Sequence, residues 1–168
     1  MDDSHDGPYA REPQIEDLAR ICAALNDAGA LYLLIGGFAV ILQGGARTTK
    51  DIDLLIDASP ANVARVKRAL GILQDRAADQ VADDDVARYS VVRIADEVVV
   101  DLMARACGID YQTAVVDAER AVIGGVEVPV ASLETLIRTK DTQRPSDLAD
   151  RRLLEALLRA ERGGPAVD

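Results

Sequence analysis

Leu34-Ile35-Gly36-Gly37 and, fourteen positions beyond Gly37, Asp51-Ile52-Asp53-Leu54 are the stretch on which the fold of this chain turns. Residues 31–35 form a short apolar run stopped by two glycines, which reads as a buried strand. Residues 38–43 read as a short helix closed by Gly44-Gly45, and 46–50 as a polar, basic loop. Residues 51–57 read as a second strand. Residues two apart on a strand share a face, about 6.5–7 Å apart at their Cα atoms. Asp51 and Asp53 therefore present two carboxylates side by side, while Ile52 and Leu54 face the core. Like charges held this way repel unless a cation neutralises them. Hard oxygen ligands of this kind suit Mg²⁺ or Mn²⁺.

Upstream, residues 14–28 carry apolar residues at helical spacing (Ile15, Leu18, Ile21, Cys22, Leu25), with Gly29 as C-cap. Downstream, Ser59-Pro60 starts a helix reaching residue 74, with Ser59 as N-cap. Residues 75–87 read as an acidic, solvated loop. Residues 89–94 and 98–103 read as strands joined at Ala95-Asp96-Glu97, a hairpin. Residues 110–119 show no clear type. Residues 121–123 and 126–130 flank Gly124-Gly125, a second hairpin. A helix starts at Ser132 and breaks at Arg144-Pro145-Ser146. The last helix starts near Ser146, with Leu148, Leu153, Leu154, Leu157 and Leu158 inward. These elements make one α+β domain over 14–162, a mixed sheet with helices on its faces. A flexible leader (1–13) and tail (163–168) flank it.

Composition narrows the chemistry. Of 168 residues, 49% are hydrophobic, yet there is no Trp and one Phe, so the core must be aliphatic. The net charge of −10 opposes long-range attraction to a polyanion. The single histidine, His5, lies in the polar leader, which rules out a Ser-His-Asp triad, a Cys-His dyad and a histidine-ligated zinc site. There is no GxxxxGK[ST] and no GxGxxG. Cys22 and Cys107 are expected to be two buried thiols in a reduced compartment. The leader is no signal peptide, and no apolar run approaches the ~20 residues that span a bilayer. The chain reads as a soluble cytoplasmic protein without a membrane partner.

Asp101 adds weight to the Asp51/Asp53 pair. It interrupts the apolar run 98–103, where an unpaired charge is costly. Two readings stay open: a buried Asp satisfied by hydrogen bonds or a salt bridge, or a third carboxylate facing the first two across the sheet. Three carboxylates can hold two metal ions ~3.5–4 Å apart, as in-line phosphoryl displacement often requires. Gly36-Gly37 would let backbone amides approach a phosphate.

Taken together, Gly36-Gly37-Phe38-Ala39-Val40 and Arg47-Thr48-Thr49-Lys50-Asp51-Ile52-Asp53 resemble the signature of the nucleotidyltransferase fold, the DNA polymerase β-like superfamily. The resemblance is strongest to its small bacterial branch of AbiEii-type toxins, and it extends over residues 15–158. It implies a nucleotidyltransferase-like mixed sheet flanked by helices, with C-terminal helices packed on the core. It implies that Asp51, Asp53 and Asp101 are catalytic and hold the metal. Gly36, Gly37, Arg47, Thr49, Lys50, Lys140, Arg144 and Asp147 would bind the nucleotide and its phosphates. Lys140 and Arg144, then Asp147 and Asp150, match a downstream element of that branch. Asp147 or Asp150 would orient these bases or the nucleotide. The superfamily commonly has Gly-Ser where this chain has Gly36-Gly37, a lost hydroxyl at the phosphates.

The expected activity is Mg²⁺- or Mn²⁺-dependent transfer of NMP from an NTP to an acceptor hydroxyl on tRNA, protein or a small molecule, with release of pyrophosphate. Two other readings stay open. One is a catalytically silent nucleotide- or partner-binding module of a toxin–antitoxin pair. The other is a metal-binding regulatory domain.

Overall fold

A computed structural model describes residues 10–163. The expected leader and tail therefore fall largely outside the described residues. Residues 10–13 are placed: Pro13 is buried, and Arg11 donates to both carboxylate oxygens of Asp17 at 2.7 Å and to Glu97 at 3.2 Å. These bonds hold the Asp17 carboxyl down at about 2.

Helix α1 (Ile15–Asp27) leads into β1 (Tyr32–Ile35), whose four residues are all buried. Helix α2 (Gly36–Leu42) begins at the glycine pair itself, two residues before the expected start. Strand β2 (Asp51–Ile56) and helix α3 (Pro60–Leu70) follow, with the Ser59 hydroxyl accepting from the Asn62 amide at 3.3 Å. The acidic stretch forms a 3₁₀ turn (Ala77–Gln80) and a single turn of helix, α4 (Asp85–Arg88). Strands β3 (Val92–Ala95) and β4 (Val99–Met103) make the expected hairpin. At its tip the buried Asp96 carboxylate accepts from the amides of Asp75, Ala77 and Glu97.

The stretch after β4 makes a small hairpin, β5 (Arg105–Ala106) and β6 (Ile109–Asp110), then helix α5 (Tyr111–Ala114). Strands β7 (Glu119–Ile123) and β8 (Val126–Val130) form the second expected hairpin. Helices α6 (Leu133–Thr139) and α7 (Pro145–Glu161) close the chain.

The sheet order is β3-β4-β2-β1-β8-β7. Strand β2 runs antiparallel to β1 and parallel to β4, with α3 providing the crossover that a parallel pair needs. Ile52 and Leu54 are fully buried, each stabilising the fold by ~1.5–3 kcal/mol. Their alternation pins the register of β2, because a slip of one residue would put both aspartates into the core.

Two expectations need correction. Cys22 is buried, and burial pushes its thiol up to about 11, but Cys107 is exposed at the tip of the β5–β6 hairpin. On α7, Leu153, Leu154, Leu157 and Leu158 pack inward as expected, but Leu148 is exposed and Asp147 and Asp150 are buried in the first turns. The first half of that helix faces cations rather than the aliphatic core.

Candidate active site

The parallel register of β2 and β4 sets Asp53 directly beside Asp101, and Asp51 beside Val99. Asp101 is thus a neighbour of the pair within the sheet, on the same face, rather than a group across it. The three carboxylates offer one oxygen each within 4.8 Å of one another. Asp51 and Asp53 are half-buried and Asp101 is buried. Burial first, then the charges of Asp51 and Asp101, push the Asp53 carboxyl up to about 7. No hydrogen bond or ion pair holds the Asp53 side chain among the described residues.

The glycine pair is fitted around these groups. Gly36 has φ +73°, and a Cβ there would lie 2.0 Å from Asp53 Oδ2. A Cβ on Gly37 would lie 2.6 Å from both Cβ and Oγ1 of Thr49, whose hydroxyl donates to the Asp51 carbonyl at 3.0 Å. Thr49 fills the space that a side chain at position 37 would need. A side chain at position 37 would therefore have to displace Thr49.

A second cluster faces the first. Asp147 and Asp150, one turn apart on α7, are both buried. Asp150 takes an ion pair from Arg47 and one from Lys140 at 3.0 Å. Asp147 accepts from Thr142 Oγ1 at 2.6 Å and pairs with Arg144 at 3.1 Å and Lys140 at 3.5 Å. Burial opposes its ionisation, but the Thr142 hydrogen bond and the Lys140 and Arg144 charges hold the Asp147 carboxyl below its usual value. Lys140 is held from α7 although it sits at the end of α6. The Cys107 thiol donates to the Thr139 carbonyl at 3.2 Å, beside Lys140.

Both clusters line one cleft of about 790 Å³, a size suited to a small-molecule ligand. Every residue singled out from the sequence lines it: Gly36, Gly37, Arg47, Thr49, Lys50, Asp51, Asp53, Asp101, Lys140, Arg144 and Asp147. Among the described residues Lys50 makes no ion pair.

The sequence reading missed Arg93. Its guanidinium donates to both oxygens of Asp101 and to Asp51 Oδ2, each at 2.9 Å. The signal was available. Once residues 92–103 are read as a hairpin, Arg93 falls opposite Asp101, an opposite-charge cross-strand pair. Of the two open readings of Asp101, the structure shows both together: the carboxylate is salt-bridged and it belongs to the acidic cluster.

The donor set fits a divalent cation. It is all carboxylate oxygen, and Asp53, half-buried between two other carboxylates, makes no hydrogen bond or ion pair among the described residues. Among the described residues no helix is long and apolar enough to cross a membrane.

Several solved structures share the fold. The lincosamide antibiotic adenylyltransferase LnuA, solved with lincomycin bound, aligns at a TM-score of 0.55 and 16% identity, over 88% of this chain and 99% of its own. ANT(2")-Ia, solved with adenylyl-2"-tobramycin, aligns at 0.54 and 17% identity, over 89% and 91%. A nucleotidyltransferase-like antigenic protein from Paracoccidioides brasiliensis aligns at 0.56 and 17% identity, over 90% and 78%. No curated protein matches the sequence. The family profile described as nucleotidyl transferase AbiEii toxin, type IV toxin–antitoxin system, matches residues 17–142. With that match over most of its length and the nucleotidyltransferase fold around its acidic cleft, the chain belongs to the AbiEii family of nucleotidyltransferases.

Proposed function

We infer that this protein transfers a nucleoside monophosphate from an NTP to an acceptor hydroxyl, with loss of pyrophosphate, in a reaction that requires Mg²⁺ or Mn²⁺. The observation that carries this reading is the convergence of Asp51, Asp53 and Asp101 within 4.8 Å, with no hydrogen bond or ion pair to Asp53 among the described residues. A divalent ion held there supplies charge neutralisation and orientation for the phosphates. Asp51 and Asp53 would hold it from β2, and Asp101 from β4. Gly36 and Gly37, in the first turn of α2, have amides without intrahelical acceptors that would be free to meet phosphate oxygens, and the missing Cβ of Gly36 lets the backbone approach Asp53.

Lys140, Arg47 and Arg144 supply positive charge on the other side of the cleft. Asp147 and Asp150 position them there in advance. Such preorganised charge is the main catalytic contribution available to phosphoryl chemistry. The acceptor oxygen attacks the α-phosphorus, the bond to the bridging oxygen breaks, and the electron pair leaves on pyrophosphate. Asp101 would favour the deprotonated acceptor hydroxyl.

The acceptor is a hydroxyl of tRNA, of a protein or of a small molecule. The protein acts in the cytoplasm as one member of a toxin–antitoxin pair, in keeping with its two free cysteines and its family. The test uses NTPs labelled at the α-phosphate, offered with tRNA, cell protein and hydroxylated antibiotics. Label should enter one pool, only with Mg²⁺ or Mn²⁺, and not with the Asp51→Ala/Asp53→Ala variant. Metal-dependent NTP binding with no labelled product in any pool would instead identify a silent binding module.

A further inference from the structure

Nucleotidyl transfer as outlined leaves Arg93 without a task, although it makes the closest contacts in the acidic cluster. It sits on β3, the edge strand, in register with Asp101 on β4. Its Nε meets Asp101 Oδ1 and its Nη2 meets Asp101 Oδ2, both at 2.9 Å, and the same Nη2 meets Asp51 Oδ2 at 2.9 Å. Both oxygens of Asp101 and one of Asp51 are thereby engaged by a cation, while Asp53 is not.

A guanidinium keeps its charge at any working pH, and its planar fork matches a carboxylate. It contacts oxygens that a divalent ion would also need. Two cations at neighbouring positions in a half-buried site repel each other with little screening. The arginine is the member able to yield. Its side chain is 44% exposed at the sheet edge, whereas that of Asp101 is 7% exposed.

We propose that Arg93 is a built-in counter-cation of the triad, which a divalent ion must displace from Asp101, so that this arginine sets metal affinity and the order in which the carboxylates engage. Asp53 receives the ion first, and Asp101 joins once the guanidinium has moved aside. This rests on the metal-dependent reading of the site. Arg93 is a positioning residue here: it holds Asp101 aligned until the exchange. A purely structural prop would act with the opposite sign, because its loss would leave Asp101 misplaced and weaken metal binding.

The experiment titrates Mn²⁺ alone into the full chain, without nucleotide, followed by calorimetry and by the Mn²⁺ spin-resonance signal. Arg93→Gln keeps hydrogen-bond donors but removes the charge, and Arg93→Lys keeps the charge without the fork. Arg93→Gln should bind Mn²⁺ on the order of tenfold more tightly than the parent, since one close charge shifts carboxylate affinities by about 1–3 log units. Arg93→Lys should stay near the parent. In EDTA, Arg93→Gln should melt below the parent, and saturating Mn²⁺ should close that gap. Equal or weaker Mn²⁺ binding by Arg93→Gln overturns the proposal. If the parent's Mn²⁺ binding is nevertheless lost in Asp53→Asn, the metal reading survives and only the role of Arg93 falls. If neither the parent nor Arg93→Gln binds Mn²⁺, both fall together.

Discussion

Two acidic clusters line the same cleft and carry their charge in opposite ways. On the sheet, Asp51, Asp53 and Asp101 converge within 4.8 Å, and Arg93 meets two of them, while among the described residues no hydrogen bond or ion pair reaches Asp53. On α7, Asp147 and Asp150 are met by Lys140, Arg47, Arg144 and the Thr142 hydroxyl. Among the described residues the first cluster brings three carboxylates against the one guanidinium that touches them, at a cost in stability. The second spends its charge inside the protein and thereby fixes where three cations stand. Excess charge marks the place for a ligand, and balanced charge marks the support that aims other groups at it.

The comparison breaks most visibly if the unmatched carboxylate is dispensable. Asp53→Asn should reduce nucleotidyl transfer by about 10³-fold, the scale of losing a preorganised charged group, while the metal-free protein melts no lower than the parent. Gly36→Ala should cost nearly as much activity, because its Cβ would sit 2.0 Å from Asp53 Oδ2 at a φ of +73°. Label transfer and thermal melts in EDTA check both.

The balanced cluster should behave in reverse. Asp150→Ala leaves Lys140, whose side chain is 13% exposed, and Arg47 without their shared partner. A loss of ~2–3 kcal/mol in denaturant unfolding is expected, near the low end for breaking a buried pair, with weaker NTP binding.

The two clusters should also answer to pH with opposite sign. Asp53 titrates at about 7 in the fold against an ordinary value of 3.8. The native state therefore holds a proton that the unfolded chain has released. Stability from this group is present below 3.8 and is lost as pH rises through about 7. The decline should be on the order of 1 kcal/mol after allowance for solvent, visible in melts with EDTA, absent in Asp53→Asn, and suppressed by Mn²⁺. Asp147, held below 3.8, contributes above that value and loses its contribution as pH falls further. The smallest effect is expected for Arg144→Ala. This exposed arginine is one of several partners of Asp147, so unfolding should change by no more than ~0.5 kcal/mol while the KM for NTP rises severalfold.

Much of this site is legible in the sequence. The alternation of Asp51 and Asp53 with Ile52 and Leu54 places two carboxylates on one face whatever surrounds them. Ser59 and Ser132 announce the starts of α3 and α6; Ser59 caps as expected, and Ser132 caps as well. Other features were hidden for definite reasons. Strands β5 and β6 have two residues each, too few to show a period. The leucines of α7 point to an apolar inward face, because helical spacing alone cannot reveal that Lys140, Arg47 and Arg144 await the first turns. Cys107 was expected inside because a thiol is usually buried. Its place at a hairpin tip with φ +48° was not encoded in any pattern around it.

Local chemistry thus decided the strands, the caps and the glycine pair, since these depend on neighbours in the chain and on the period of the backbone. Tertiary structure alone decided which charges meet. Asp53 and Asp101 lie 48 positions apart in the chain and become neighbours only through the parallel register of β2 and β4. Arg47 and Asp150 meet only where α7 folds back over the cleft. Coulomb forces act over a few ångströms of space, whatever the length of chain between the groups. The balance of charge at the site is therefore a property of the fold.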